Sequence, residues 1–171
     1  MSTQLLRIVL TALLGVGSIV LMFTGSIGWG ILVLLIAGLV LLTYYRNERI
    51  LWAFYHLRSQ RFDKAKTALN GIRNPERDLI QGQRAYFYFL NGLLEAQTNL
   101  SKSESWMRKA LNTGLRMKHD QAMAKLNLAG IAVAKRRRRE AELLLSEVKK
   151  LDERGMLTEQ VKMIKQQLKH L

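Results

Sequence analysis

The chain has 171 residues, a formal net charge of +14 and no cysteine. That excludes a disulfide scaffold and any cysteine-ligated metal centre. A balance this basic favours anionic partners such as lipid headgroups, RNA or acidic proteins.

From the N-terminus, residues 8–45 contain no Asp, Glu, Lys or Arg. Two apolar runs, Leu5–Phe23 and Trp29–Tyr45, flank the turn-forming cluster Thr24-Gly25-Ser26-Ile27-Gly28. A helix crosses a bilayer core with about 20 apolar residues. The spacing therefore predicts a transmembrane helical hairpin over residues 1–45, with Trp29, Tyr44 and Tyr45 at headgroup depth. A secretory signal peptide is the competing reading of the first run; the run is long for one, and a second span follows at once. Basic residues flanking a span stay in the cytoplasm. Arg46-Asn47-Glu48-Arg49 thus predicts a two-pass protein of the cell (inner, cytoplasmic) membrane, with the N-terminus and the C-terminal domain both cytoplasmic.

Twenty-six of the 27 Lys and Arg and all 13 Asp and Glu lie from residue 46 onward, which gives residues 46–171 a charge of +13. Apolar residues there fall at helical spacing, without strand alternation. Three segments align with a shift of 38. Trp52, Leu90 and Leu128 correspond, as do Ala53, Asn91 and Ala129, and His56, Leu94 and Ala132. In the second half of each unit the matches are Ala65, Ser103 and Ala141; Leu69, Met107 and Leu145; Ile72, Ala110 and Val148. Each unit reads as a helix pair with small residues where the helices cross.

The stretches Arg61-Phe62-Asp63-Lys64-Ala65-Lys66-Thr67-Ala68-Leu69 and Glu140-Ala141-Glu142-Leu143-Leu144-Leu145 resemble the tetratricopeptide repeat, over roughly residues 47–152. Phe62 stands at the family's turn aromatic and Ala65 at its small crossing residue. The departures are Ala53, Asn91 and Ala129 at the family's glycine, Ser103 for alanine, a displaced proline (Pro75), and a period of 38 against the family's 34. The resemblance implies an all-α fold in which the transmembrane hairpin is followed by an α-solenoid of about three tetratricopeptide-like helix pairs and a C-terminal capping helix. A plain antiparallel helical bundle is the alternative.

In chain order the predicted helices run over about 46–59, 62–73, 78–98, 101–115, 119–135, 138–152 and 158–169. The first is either continuous with the second membrane helix or broken at Tyr44-Tyr45-Arg46. Ser101 is the expected N-cap of the fourth, with Glu104 completing a capping box. Asp120 or His119 starts the fifth, and Thr158 caps the last.

No catalytic constellation is visible. His56, His119 and His170 pair with no second ligand at helical spacing, and neither a glycine-rich phosphate loop nor a nucleophile elbow occurs. His56 falls at a repeat core position, where a buried, hydrogen-bonded imidazole is expected. The chain reads as a non-enzyme without metal, cofactor or small-molecule substrate. Helix-pair stacks hold partners in a concave groove, which would here be lined by Phe54, Leu57, Arg58, Tyr88, Glu95, Met123, Leu126 and Val133. A second surface is the run Lys135-Arg136-Arg137-Arg138-Arg139, with Arg58 and Arg61 in the equivalent turn of the first unit. Adjacent cations need solvent or an anionic partner. The expected function is a membrane-anchored interaction scaffold, an accessory subunit docking a protein partner to a membrane complex. The alternative is a ribosome, RNA or anionic-lipid tether acting through Lys135–Arg139.

Overall fold

A computed structural model describes residues 13, 16–19, 27–45 and 48–170. They fold as helices joined by turns, with no strand among them. In chain order the helices are α1 (Ile27–Tyr45), α2 (Glu48–Arg58), α3 (Phe62–Asn70), α4 (Pro75–Asp78), α5 (Gln81–Glu95), α6 (Leu100–Thr113), α7 (Lys118–Ala134), α8 (Arg138–Leu151) and α9 (Thr158–Lys169). The chain divides into two compact units, Met1–Glu48 and Arg49–Leu171.

In the first unit, the Ser18 hydroxyl donates a hydrogen bond of 2.8 Å to the Gly30 carbonyl of α1, and both residues are buried. The expectation of a transmembrane hairpin is corrected here. Among the described residues, no helix is long and apolar enough to cross a membrane. Most of the first run, and the connecting cluster up to Ser26, lie outside the described residues. α1 has 19 residues, ~28 Å at 1.5 Å per residue against a hydrocarbon core of ~30 Å. Gly28, Gly30 and Gly38 also reduce its apolar surface. The membrane anchor, the two-pass topology and the cytoplasmic placement of both ends rested on those spans and have no support without them. Arg46 and Asn47, where continuity between the membrane helix and the first repeat helix was in question, also lie outside the described residues.

The second unit is a succession of antiparallel helix pairs. Gln81 at the start of α5 donates through Nε2 to the Thr113 carbonyl at the end of α6, 3.1 Å away. Lys118 at the start of α7 likewise pairs with Glu153, just beyond α8, at 2.6 Å. The second helices explain why the pairs close. Ala65, Leu69 and Ile72 around α3, Ser103, Met107 and Ala110 of α6, and Ala141, Leu145 and Val148 of α8 are all buried. These nine are the second-helix positions among those that the shift of 38 aligns; of the first-helix positions, Trp52 is exposed. Ala65, Ser103 and Ala141 are small, which lets the partner backbone come close there. Ser103 shows how a polar residue is tolerated there: its fully buried hydroxyl donates to the Gly92 carbonyl at 2.7 Å, so no polar group is left unpaired.

The first helices behave differently. α7 is buried on nearly every side, from Ala122 to Val133, because α6, α8 and α9 pack against it and Tyr86 of α5 reaches its Asp120. A helix so enclosed is apolar all round rather than along one stripe. Two cores result. One centres on Phe89, Leu90 and Met107, and the other on Ala129, Leu145 and Val148. Burying a side chain such as Leu90 or Leu145 stabilises the fold by about 2 kcal/mol each. α9 seats Val161 and Leu168 against the second core and covers that end of the stack.

Several local expectations change. Asn99, not Ser101, caps α6; its Oδ1 accepts from the Lys102 amide at 3.0 Å. The capping box fails because the Glu104 carboxylate is taken by cations from the next unit. Leu157 occupies the N-cap of α9, and the Thr158 hydroxyl turns back to the Gly155 carbonyl. Asp120 lies inside the first turn of α7, where it accepts a 2.6 Å hydrogen bond from the Tyr86 hydroxyl. His56 is half-buried, but its Nδ1 is enclosed with no hydrogen-bond partner among the described residues.

Candidate functional site

The basic turn between α7 and α8 is not a row of free charges. Lys135 Nζ lies 2.9 Å from both Ser101 Oγ and Glu104 Oε2. Arg137 reaches Glu104 with both terminal nitrogens, at 2.9 and 2.7 Å, and also Glu140 at 2.9 Å. Arg108 joins Glu104 to Glu140, and Arg138 pairs with Glu142 at 3.1 Å. One carboxylate thus gathers three cations. The bidentate hydrogen bond from Arg137, with help from Lys135 and Arg108, holds the Glu104 carboxyl well below the usual carboxylate range. Arg136 and Arg139 are left exposed, with no ion-pair partner among the described residues. In the equivalent turn between α2 and α3, Arg58 and Arg61 are exposed.

The residues expected to line a groove separate into four sets. Tyr88 and Val133 are core residues, 8% and 7% exposed, and Tyr88 stacks on Trp106 with ring centroids 5.6 Å apart. Leu57 packs on the first core, while Phe54 and Arg58 are exposed on α2. Glu95 is half-buried at the end of α5, where Thr98 donates to it at 3.4 Å. Met123 and Leu126 do line a cleft, and their company was not foreseen. The cleft, about 580 Å³, lies between α5, α7 and α9 and is walled by Leu93, Leu100, Ile131, Met163 and Ile164. Asn127, Gln160 and Gln167 supply its amides. The signal in the sequence was a second stripe on the last helix, Gln160, Met163, Ile164 and Gln167, beside the buried Val161 and Leu168.

A second concavity, about 380 Å³, lies between α2 and α3, lined by Arg49, Trp52, His56, Lys64, Thr67 and Ala68. The Trp52 indole is 57% exposed. It meets Tyr55 edge-on at 6.2 Å and His56 at 5.9 Å between centroids. Among the described residues, no group of three or more His, Asp or Glu is disposed to hold a metal ion.

The chain matches no protein family, no curated protein and no solved structure.

Proposed function

We propose that this chain is a non-catalytic interaction scaffold, a stack of tetratricopeptide-like helix pairs that holds an apolar helix face of a partner protein in the cleft between α5, α7 and α9. The observation that carries this reading is the composition of the cleft. Its walls are aliphatic and methionine side chains, no charged residue lines it, and three amides stand among them. Methionine adapts to irregular apolar surfaces, and amides offer hydrogen bonds without the desolvation cost of a charge. Leu100 and Met163 are 41% and 55% exposed, so apolar surface is available at the walls without rearranging the core. The tether reading is weaker, because Glu104, Glu140 and Glu142 already neutralise Lys135, Arg137 and Arg138.

A photocrosslinking residue placed at Met163 tests this in intact cells, with one at the exposed Lys149 of α8 as control. The expected result is a discrete protein partner captured from position 163 and not from 149, through a segment with an apolar helical face. Leu100→Glu, which alters an exposed position, should weaken binding of that segment to the purified chain by about tenfold or more. Identical capture profiles from the two positions would overturn the reading.

A further inference from the structure

We propose that the groove between α2 and α3 binds single-stranded nucleic acid, with one base stacked on Trp52 and the adjoining phosphates held by Lys64 and its neighbouring cations. This site is separate from the cleft between α5, α7 and α9 and does not depend on it.

Four observations carry the proposal. First, a large indole is left more than half exposed in a groove, while the other side of its helix buries Ile50 and Ala53. Second, the indole belongs to an aromatic cluster: Tyr55 meets it at an interplanar angle of 88° and His56 at 30°. Third, the opposite wall is Lys64, Thr67 and Ala68, and no carboxylate lines the groove. Lys64 has no ion-pair partner among the described residues. Fourth, cations continue past the groove: Arg58 and Arg61 are exposed at the turn that joins α2 to α3.

Aromatic platforms combined with a cationic track are how single strands are held without sequence readout. Every base has a π-face, and stacking contributes about 1–3 kcal/mol per base. A duplex hides its base faces and cannot use Trp52. The surrounding charge of +14 steers a polyanion toward the site. Base stacking does not depend on the sugar, so RNA and DNA strands should both bind.

The test is anisotropy titration of the full-length chain with labelled oligouridylate and oligothymidylate, alongside a blunt DNA duplex and tryptophan emission. Both strands should bind, quench tryptophan and lose affinity steeply with salt. Trp52→Ala should weaken binding about tenfold or more. Trp52→Phe should keep most of the affinity while losing the quench. Lys64→Ala should lower the salt slope by about 0.7, the share of one phosphate. Helical circular dichroism should be unchanged, since both side chains are at the surface. Duplex binding as tight as the strands overturns the proposal. So does affinity that survives Trp52→Ala but is abolished by neutralising Arg136 and Arg139.

Discussion

Gln60 and Arg136 close the same turn in two different helix pairs. Both have left-handed backbone, with φ of 56° and 57°. After each, the chain makes the same hydrogen bonds. The Arg61 amide donates to the His56 carbonyl at 2.8 Å and the Arg137 amide to the Ala132 carbonyl at 2.7 Å. Gln60 donates to Leu57, and Arg136 to Val133, at 3.0 and 2.9 Å. This is a Schellman closure, in which glycine is the usual left-handed residue. The two residues are 76 positions apart, twice the shift of 38, but the turn between α5 and α6 closes differently: there the Asn99 and Thr98 amides both donate to the Glu95 carbonyl, at 2.7 and 3.1 Å.

The strain at these positions gives the first prediction. A side chain in left-handed backbone costs about 1 kcal/mol that glycine does not. Gln60→Gly and Arg136→Gly should each stabilise the second unit by up to about that amount, less glycine's greater entropy when unfolded. Urea denaturation should show a higher midpoint with an unchanged slope. A β-branched residue at either place should shift the midpoint the other way.

Gly92 and Gly130, which the shift of 38 also aligns, should respond oppositely to alanine. A Cβ on Gly92 would meet Met107 at 2.9–3.0 Å, and Met107 is fully buried with nowhere to move. Gly92 is also the residue whose carbonyl accepts the Ser103 hydrogen bond, so a shift of its backbone away from Met107 would disturb that bond. Gly92→Ala should therefore destabilise by about 1–3 kcal/mol. At Gly130 the nearest atom is Ile164 Cδ1 at 3.8 Å, an ordinary contact. Gly130→Ala should stabilise by up to about 1 kcal/mol through helix propensity. Thermal melts of the two variants, read against the parent chain, should move apart in opposite directions.

What could be read from the sequence, and what could not, divides along a physical line. The buried faces of α3, α6 and α8 were legible because helical periodicity and small residues at crossings are local signals. The Glu104 cluster was not, because two of its three cations, Lys135 and Arg137, come from the next helix pair, and their meeting depends on how the pairs stack. The same ignorance misplaced Tyr88 and Val133 in a groove: whether a first-helix residue faces a partner or a neighbouring helix is decided by the neighbour. Ser101 lost the cap for a related reason, since Asn99 was equally suited and Glu104 was engaged elsewhere. The N-terminal stretch carried the strongest compositional signal. Its reading as two spans was nonetheless overturned, because absence of charge does not fix where helices begin and end.

The Glu104 cluster should make the second unit acid-sensitive in a traceable way. Its carboxyl titrates well below the unfolded value of 4.5, chiefly because of the hydrogen bonds from Arg137. A lowered folded-state value gives stability that is fully present above the unfolded value and is lost as pH falls toward the folded one. Below pH ~4.5 the unfolded chain takes up a proton that the folded chain refuses. This group should then lose up to about 1.4 kcal/mol per pH unit. Glu104→Gln should be less stable at neutral pH by about 1–2 kcal/mol and should show a shallower loss on acidification. Equal acid slopes in parent and variant, from urea melts between pH 5 and 2, would show that Glu104 carries no linkage.

The Tyr86–Asp120 hydrogen bond places the complementary sensitivity at high pH. Burial first, and then the Asp120 carboxylate, raise the Tyr86 hydroxyl from 10.0 to about 12. A raised folded-state value means that the folded chain keeps its proton while the unfolded chain gives it up. Stability from this group is thus intact below pH 10 and lost as pH rises from 10 toward 12. Tyr86→Phe removes the donor and leaves Asp120, only 9% exposed, without it. The variant should therefore lose about 1–3 kcal/mol at neutral pH. Replacing Asp120 with Asn in that background should recover part of the loss, because the residue left unpaired is then uncharged. Alkaline titration separates this from simple loss of packing. Between pH 10 and 12 the parent should weaken relative to Tyr86→Phe, so that the gap between their midpoints narrows; a gap that stays constant would mean that the phenol only fills space.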